Sequence, residues 1–319
     1  MSDGPEELAA RLRARDLSAA PGVLNLVESR APRHRDEIAA LLTGLAPKVL
    51  GGEAPAHVIG VTGPPGSGKS SLLAHLVRAW RARGQSVAVL AVDPSSRRSG
   101  GALLGDRARI AVDPGDRGVF VRSMAAGTRL GGLAAATRAA ADALAVAFDV
   151  VVVETVGVGQ SETDVAEAAD TVAVVVQPGG GDVLQFLKSG IMEIPDVLVV
   201  TKADLGSLAL RSRRDLSAAL RSLGARETPV VAVSSLAPPS GFEELVGALD
   251  EHRARLDVPA RRRAARRAAA LAEFTVEHGE RGLRALGGAR AAARLLADQD
   301  PALDVPALTR ALETVAAPT

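Results

Sequence analysis

The residues best placed to do chemistry form one run, Gly63-Pro64-Pro65-Gly66-Ser67-Gly68-Lys69-Ser70, with Ser71 directly behind it. The spacing G-x-x-x-x-G-K-S suits a phosphate. Glycines at 66 and 68 admit backbone angles that other residues resist, so successive N–H groups turn inward around an anion. A helix expected from Lys69 to Arg83 brings its positive N-terminal end to the same point. Lys69 then reaches β- and γ-phosphate oxygens, and the Ser70 hydroxyl ligates Mg²⁺. A chance Gly/Pro/Ser turn competes poorly, because all four fixed positions stand between a strand and a helix.

Such a cradle needs further parts downstream. The buried run Val150–Val153 ends on Glu154, followed by Thr155-Val156-Gly157, an E-x-x-G pattern. A carboxylate after four valines needs a partner to offset its desolvation. Here it works through Mg²⁺-bound water, while the Gly157 N–H senses the γ-phosphate. Thr201-Lys202-Ala203-Asp204 follows another apolar run and resembles the N-K-x-D motif for guanine, with threonine in place of asparagine. The Asp204 carboxylate accepts from the N1–H and exocyclic amine of guanine, whereas adenine offers it no such donors. Lys202 lays its aliphatic stem over the base. One strand later, Ser234-Ser235-Leu236 stands where a backbone N–H meets the guanine oxygen. Together these residues predict GTP and GDP as ligands rather than ATP. An ordinary strand-end turn at Asp204 is the weaker alternative.

The elements that must position these residues are legible as apolar runs. Strands are expected at His57–Thr62, Ser86–Val92, Val119–Arg122, Asp149–Glu154, Thr171–Gln177, Val197–Lys202 and Pro229–Ser234. Continuous apolar runs fit strands covered on both faces, as in a parallel sheet. Alternation with Ala- and Arg-rich helical stretches predicts βαβ units. The fold class is therefore α/β: a P-loop NTPase with a mostly parallel central sheet, N-terminal helices and a C-terminal helical arm. Three regions are expected: an N-terminal helical extension at 1–52, the nucleotide-binding domain at 53–250, and a helical arm at 251–319. Pro21-Gly22 and Ala31-Pro32 divide the first region into about three short helices. The arm opens on the Arg-rich segment Arg253–Arg267, read either as a solvated helix face or as a docking surface. The zone after Pro259 is expected to be too small for its own core, which predicts a homodimer through it.

Composition narrows the function. The chain has 319 residues, 47% hydrophobic and 24% charged, an ordinary globular balance. Five Phe, one Trp and no Tyr leave little for base stacking, and the formal net charge of +1 draws in no polyanion, so nucleic acid is not an expected partner. Cysteine is absent, which removes disulfides, thiolate catalysis and Cys metal sites. No long apolar run spans a membrane, and no apolar segment at the start marks secretion, so a cytoplasmic protein is expected.

Several segments resemble the MeaB/ArgK-type P-loop GTPases, the G-protein chaperones of adenosylcobalamin-dependent acyl-CoA mutases. They are Ala91–Ser96 (AVDPSS), Gly100–Arg107 (GGALLGDR), Leu130–Leu133 (LGGL), Val153–Glu162 (VETVGVGQSE), Gly181–Gln185 (GDVLQ) and Lys188–Ile194 (KSGIMEI). The resemblance runs from about Val23 to Leu245. It implies slow hydrolysis of GTP–Mg²⁺ that gates cofactor loading and protects a client mutase, methylmalonyl-CoA mutase or a related one. By the same resemblance Asp93 and Asp106 lie in a first switch near Mg²⁺ and the attacking water, and Glu154 lies in a second. Asp182, Gln185 and Lys188 match a third switch that signals to the mutase. A nickel-insertion GTPase would need His or Cys clusters, and the five histidines are scattered in sequence. A small-molecule P-loop kinase would not need the Thr201–Asp204 motif. An adaptor that binds GTP and barely turns it over stays open. Arg107, Arg109 and Arg122 are in-chain candidates for neutralising transition-state charge, or else ordinary surface arginines.

Overall fold

The computed structural model describes residues 3–29, 31–93, 110, 112–113, 115–125, 135–155, 161–179 and 195–317, with backbone only at Asp93 and 161–164. The chain divides into two compact units. A sheet unit holds 57–137 and 148–256, and a helical unit holds 1–56, 138–147 and 257–319.

In the sheet unit, seven described strands form one sheet: β1 His57–Thr62, β2 Val87–Asp93, β3 Val119–Ala125, β4 Val150–Thr155, β5 Thr171–Val176, β6 Val197–Val200 and β7 Val230–Ala232. Their order is β3-β2-β4-β1-β5-β6-β7, and every pairing is parallel. β1, β4 and β5 are buried along their whole length, as valine runs without polar alternation require. From β1 the chain crosses to β2 on one side, while β5 lies on the other. Open α/β sheets bind ligands at the carboxyl ends of strands at such a switch point.

Strand starts match the sequence expectation within a residue, and side-chain locks explain two of them. The Asp149 carboxylate accepts from the Ser86 N–H and hydroxyl, both at 2.8 Å, so β2 and β4 begin together. β6 ends two residues early. The Thr201 hydroxyl bonds the Ser67 carbonyl of the phosphate loop, and Lys202 takes a left-handed conformation at φ 53°. The phosphate-loop helix runs Lys69–Ala82 and turns Leu72, Leu73, Leu76, Val77 and Trp80 inward at three- and four-residue spacing. This face packs into one cluster with Ile59 and Val61 of β1 and with Leu245, Val246 and Leu249 of helix Phe242–Arg255.

The helical unit corrects one expectation. The helices Val258–Ala285, Ala289–Ala297 and Val305–Ala316 bury their own cluster, with Phe274, Leu283, Leu296, Leu308 and Leu312 at its centre. The zone after Pro259 therefore has a core, because three helices turn back on one another. It also shares the unit with the N-terminal helices Pro5–Arg13, Ala20–Val27 and Arg35–Thr43. Several arginines of the Arg-rich segment are used inside the chain. Arg262 donates to the carbonyls of Ala54 (2.6 Å) and Ala56 (2.7 Å), and Arg266 pairs with both oxygens of Glu53 at 2.8 and 2.9 Å. Arg253 pairs with the buried Asp170 carboxylate at 2.9 Å in the sheet unit.

Candidate functional site

The site is built where the central strands end. β1 runs straight into the Gly63–Ser70 loop, and the next helix starts on Lys69. Gly63 has φ 142°, and a Cβ there would stand 2.1 Å from the Val175 carbonyl oxygen of β5. Only glycine lets the loop leave β1 this close to its neighbour. Gly68 caps the helix at φ 92°. The loop thus forms as the spacing predicts. Pro65, Gly66 and Ser71 are exposed, Pro64, Gly68 and Ser70 are half-buried, and Ser67 is buried.

Lys69 differs from a lysine on an open loop. It is 7% exposed, and its Nζ donates to the carbonyls of Gly63 (2.6 Å) and Pro64 (3.1 Å). The ammonium is thus held against the backbone of the Gly63–Ser70 loop.

Sheet register gathers the acidic residues. Glu154 on β4 pairs with Val61 on β1 and with Ala91 on β2, two residues before Asp93 at the end of that strand. The backbones of Asp93 and Glu154 thus end adjacent strands next to the strand that feeds the phosphate loop. Glu154 is 7% exposed. Around this edge the buried hydroxyls of Thr62, Ser67 and Thr155 have no hydrogen-bond partner among the described residues. Buried polar atoms of that kind call for a polar ligand. A phosphate with a hard, oxygen-liganded cation such as Mg²⁺ fits hydroxyls, carboxylates and backbone N–H groups better than any apolar molecule. Asp106, Gly157, Asp182, Gln185, Lys188, Arg107 and Arg109 lie outside the described residues.

The Thr201–Asp204 segment follows β6, which stands two strands from β1 in the sheet. Thr201 is 4% exposed, and its hydroxyl lies 2.6 Å from the Ser67 carbonyl and 3.0 Å from that of Val176. It therefore ties the strand end to the phosphate loop. Lys202 reaches the same loop, with Nζ 3.5 Å from the Gly66 carbonyl and bonded to Gln177. Asp204 is exposed, and its Oδ1 accepts from the Ser234 hydroxyl at 2.7 Å. Ser234 is buried, Ser235 half-buried and Leu236 exposed. The Leu236 N–H approaches the Ser234 hydroxyl at 3.3 Å, and the Ala203 N–H donates to the Val233 carbonyl at 3.0 Å. Two motifs some thirty residues apart thus form one surface.

Comparison with known proteins shows the family. The family profile described as "Methylmalonyl Co-A mutase-associated GTPase MeaB" matches residues 21–283. The chain belongs to the MeaB family. Among similar curated proteins, a putative GTPase of Pyrococcus abyssi is 42% identical over 271 residues, covering 82% of this chain and 80% of its own. A probable GTPase of Mycobacterium tuberculosis is 41% identical over 261 residues, covering 79% and 75%. GTPase ArgK of Escherichia coli is 41% identical over 201 residues, covering 62% and 59%. A solved structure titled as a LAO/AO transport system kinase is similar at TM-score 0.65 and 28% identity, over 97% of this chain and 96% of that one. As a MeaB-family member the chain is a GTP hydrolase.

Sequence reasoning missed three parts of the site. Gln177 ends the apolar run of β5 and meets Lys202, a position that a polar residue closing a buried strand could have flagged. The hydroxyls of Thr62 and Thr155, each at a strand end, give no pattern of their own. The histidines are also less scattered than their spacing suggests. His57, Thr171, His252 and Asp196 form a chain with steps of 2.7, 2.8 and 3.1 Å. It joins the amino ends of β1, β5 and β6, opposite the phosphate loop, and so serves register rather than the site.

Proposed function

We propose that GTP hydrolysis by this chain gates adenosylcobalamin loading into, and protection of, a radical acyl-CoA mutase of the methylmalonyl-CoA mutase type. The observation that carries the client is the mutase-associated family profile, which spans the whole sheet unit. A mouse relative called methylmalonic aciduria type A homolog, mitochondrial, supports it, at 41% identity over 49% of this chain and 38% of its own.

In the proposed reaction a water attacks the γ-phosphorus in line as the bond to the β–γ bridging oxygen breaks; GDP, held by the Gly63–Ser71 loop, is the leaving group, and inorganic phosphate is the other product. Lys69 holds charge at the β- and γ-oxygens, and the loop N–H groups orient the phosphates. Ser70, Asp93, Asp106 and Glu154 are the residues that would hold Mg²⁺, directly or through water, and Gly157 would sense the γ-phosphate. The bound ion would neutralise charge on the β/γ oxygens. Thr201, Lys202, Asp204 and the Ser234–Leu236 turn take the base. Asp182, Gln185 and Lys188 carry the signal to the client. The protein acts as a cytoplasmic homodimer, with residues 53–250 as the GTPase domain and 251–319 as an arm for dimer or client.

The test is GTP turnover with and without purified methylmalonyl-CoA mutase, for wild type and Lys188→Ala. Acceleration of the wild type, lost in the variant with intrinsic turnover kept, is expected. No change on adding the mutase rejects this client, and equal acceleration of both proteins rejects the third switch.

A further inference from the structure

Several donors on the base-recognition segment already have partners inside the protein. Thr201 carries one hydroxyl hydrogen, and both atoms within its reach are carbonyl oxygens, Ser67 at 2.6 Å and Val176 at 3.0 Å. Whichever it chooses, the hydrogen stays within the protein. The Thr201 N–H donates to the Val176 carbonyl at 2.9 Å, and the Ala203 N–H to the Val233 carbonyl at 3.0 Å. Lys202 Nζ is engaged by the Gly66 carbonyl and Gln177. The other end of Thr201 is a methyl group, 3.6 Å from where a Cβ on Gly68 would be. Asp204, by contrast, keeps an acceptor open among the described residues. Asp204 Oδ1 is bonded to Ser234, and Oδ2 makes no hydrogen bond among the described residues.

A purine presents donors and acceptors on different edges. Guanine offers N1–H and the 2-amino group on one edge, and the bare acceptor N7 on another. An acceptor in the protein can read only the first. An asparagine at position 201 would carry two N–H hydrogens, so one could hold the Ser67 carbonyl while the other met a ring nitrogen. Threonine has no second hydrogen to give.

We propose that this protein reads the N1–H and 2-amino edge of guanine and leaves N7 unread, because Thr201 uses its only hydroxyl hydrogen to fasten the phosphate loop. The proposal rests on the assignment of Thr201–Asp204 as the base site. Its consequence is a substrate range: guanine nucleotides altered or blocked at position 7 are accepted, while those altered at N1 or the 2-amino group are not.

The experiment measures competition of unlabelled diphosphates against a fluorescent GDP analogue on the full chain. The set is GDP, 7-deaza-GDP, IDP and ADP. A hydrogen bond to N7 would make its removal cost roughly threefold to tenfold in affinity. The expected result is 7-deaza-GDP within about twofold of GDP, IDP weaker by about tenfold, and ADP weaker still. If GDP outcompetes ADP but 7-deaza-GDP is more than about threefold weaker than GDP, the proposal falls and the base site stands. Should ADP compete as well as GDP, the base site itself is misassigned and the proposal goes with it. Thr201→Asn adds a gain-of-function arm and is expected to disfavour 7-deaza-GDP by at least about threefold. Thr201→Ser keeps the single hydrogen and is expected to stay indifferent. A folded Thr201→Asn protein that binds both diphosphates equally overturns the role given to Thr201. If that variant does not fold, the wild-type comparison alone decides.

Discussion

Asp204 Oδ1 accepts the hydroxyl hydrogen of Ser234 at 2.7 Å, so the carboxylate that would read the base is aimed by a residue of the next strand-end turn. Ser234 is itself held twice. Its N–H donates to the Ser240 carbonyl at 3.1 Å, and its carbonyl accepts the Ser240 N–H at 3.0 Å. The exposed acid therefore hangs from a buried, doubly bonded anchor rather than from a loose loop. An acceptor fixed in this way pays less ordering entropy when a base arrives.

Asp204→Asn is expected to move preference from guanine to xanthine nucleotides. The amide oxygen can still accept from Ser234, but its NH₂ now faces the position that the 2-amino group occupied. Xanthine carries an oxygen where guanine has the 2-amino group, so donor meets acceptor. The expected change in the GTP-to-XTP preference is about a hundredfold or more. Competition binding checks it. A variant that keeps its guanine preference would remove Asp204 from the base site.

Lys69→Ala is expected to cut GTP turnover by at least about a hundredfold, with weaker nucleotide binding. Because Lys69 is buried and bonded to two loop carbonyls, a stability cost of about 1–2 kcal/mol is also expected. Circular dichroism and single-turnover assays separate the two effects. Unchanged turnover in a folded variant would mean the cradle is misplaced.

Gly63→Ala should damage the fold more than its size suggests. The new methyl would press on the Val175 carbonyl in the middle of the sheet, at a φ of 142° that side chains avoid. A loss of at least about 2–3 kcal/mol is expected, read as a lower urea midpoint. Gly66→Ala, with nothing within 4 Å of its Cβ but φ 75°, should cost less. Equal losses at the two positions would show that strain, and not the close approach to β5, sets the penalty.

The contrast between these sites and the rest shows what a sequence can disclose. The phosphate loop and β1 were legible because a fixed spacing followed a run of buried valine, isoleucine and glycine, and both signals are local. Glu154 was legible for the same reason, a charge closing an apolar strand. Thr201 could be recognised as a substitution, but its bond to Ser67 crosses 134 residues and no local pattern encodes it. The same holds for Arg266 and Glu53, 213 residues apart, which turned an apparently solvated arginine stripe into part of a core-bearing helical unit. Periodicity says which face of a helix is polar. It does not say which polar face will meet another.

Arg81, in the last turn of the phosphate-loop helix, donates through Nε and Nη2 to both oxygens of Asp116 at 2.8 and 2.9 Å, just before β3. Its third nitrogen, Nη1, holds the Gln85 carbonyl at 2.8 Å. This one guanidinium thus ties the helix that follows β1 to the turns that start β2 and β3. The Arg81 guanidinium, helped by the Gly118 N–H, holds the Asp116 carboxyl below its ordinary value near 3.8. A lowered value means that the unfolded chain binds the proton more tightly, so the pair stabilises the fold above pH about 4 and that stabilisation is lost as pH falls through the depressed value. Asp116→Asn removes the charge at every pH. At pH 7 its urea midpoint is expected below that of wild type, and the gap should narrow as the wild-type carboxyl takes up its proton below pH 4. Matched urea titrations at pH 7 and at stepped acid pH values measure it. A gap that keeps its size down to the acid limit would place the loss in packing rather than in the ion pair.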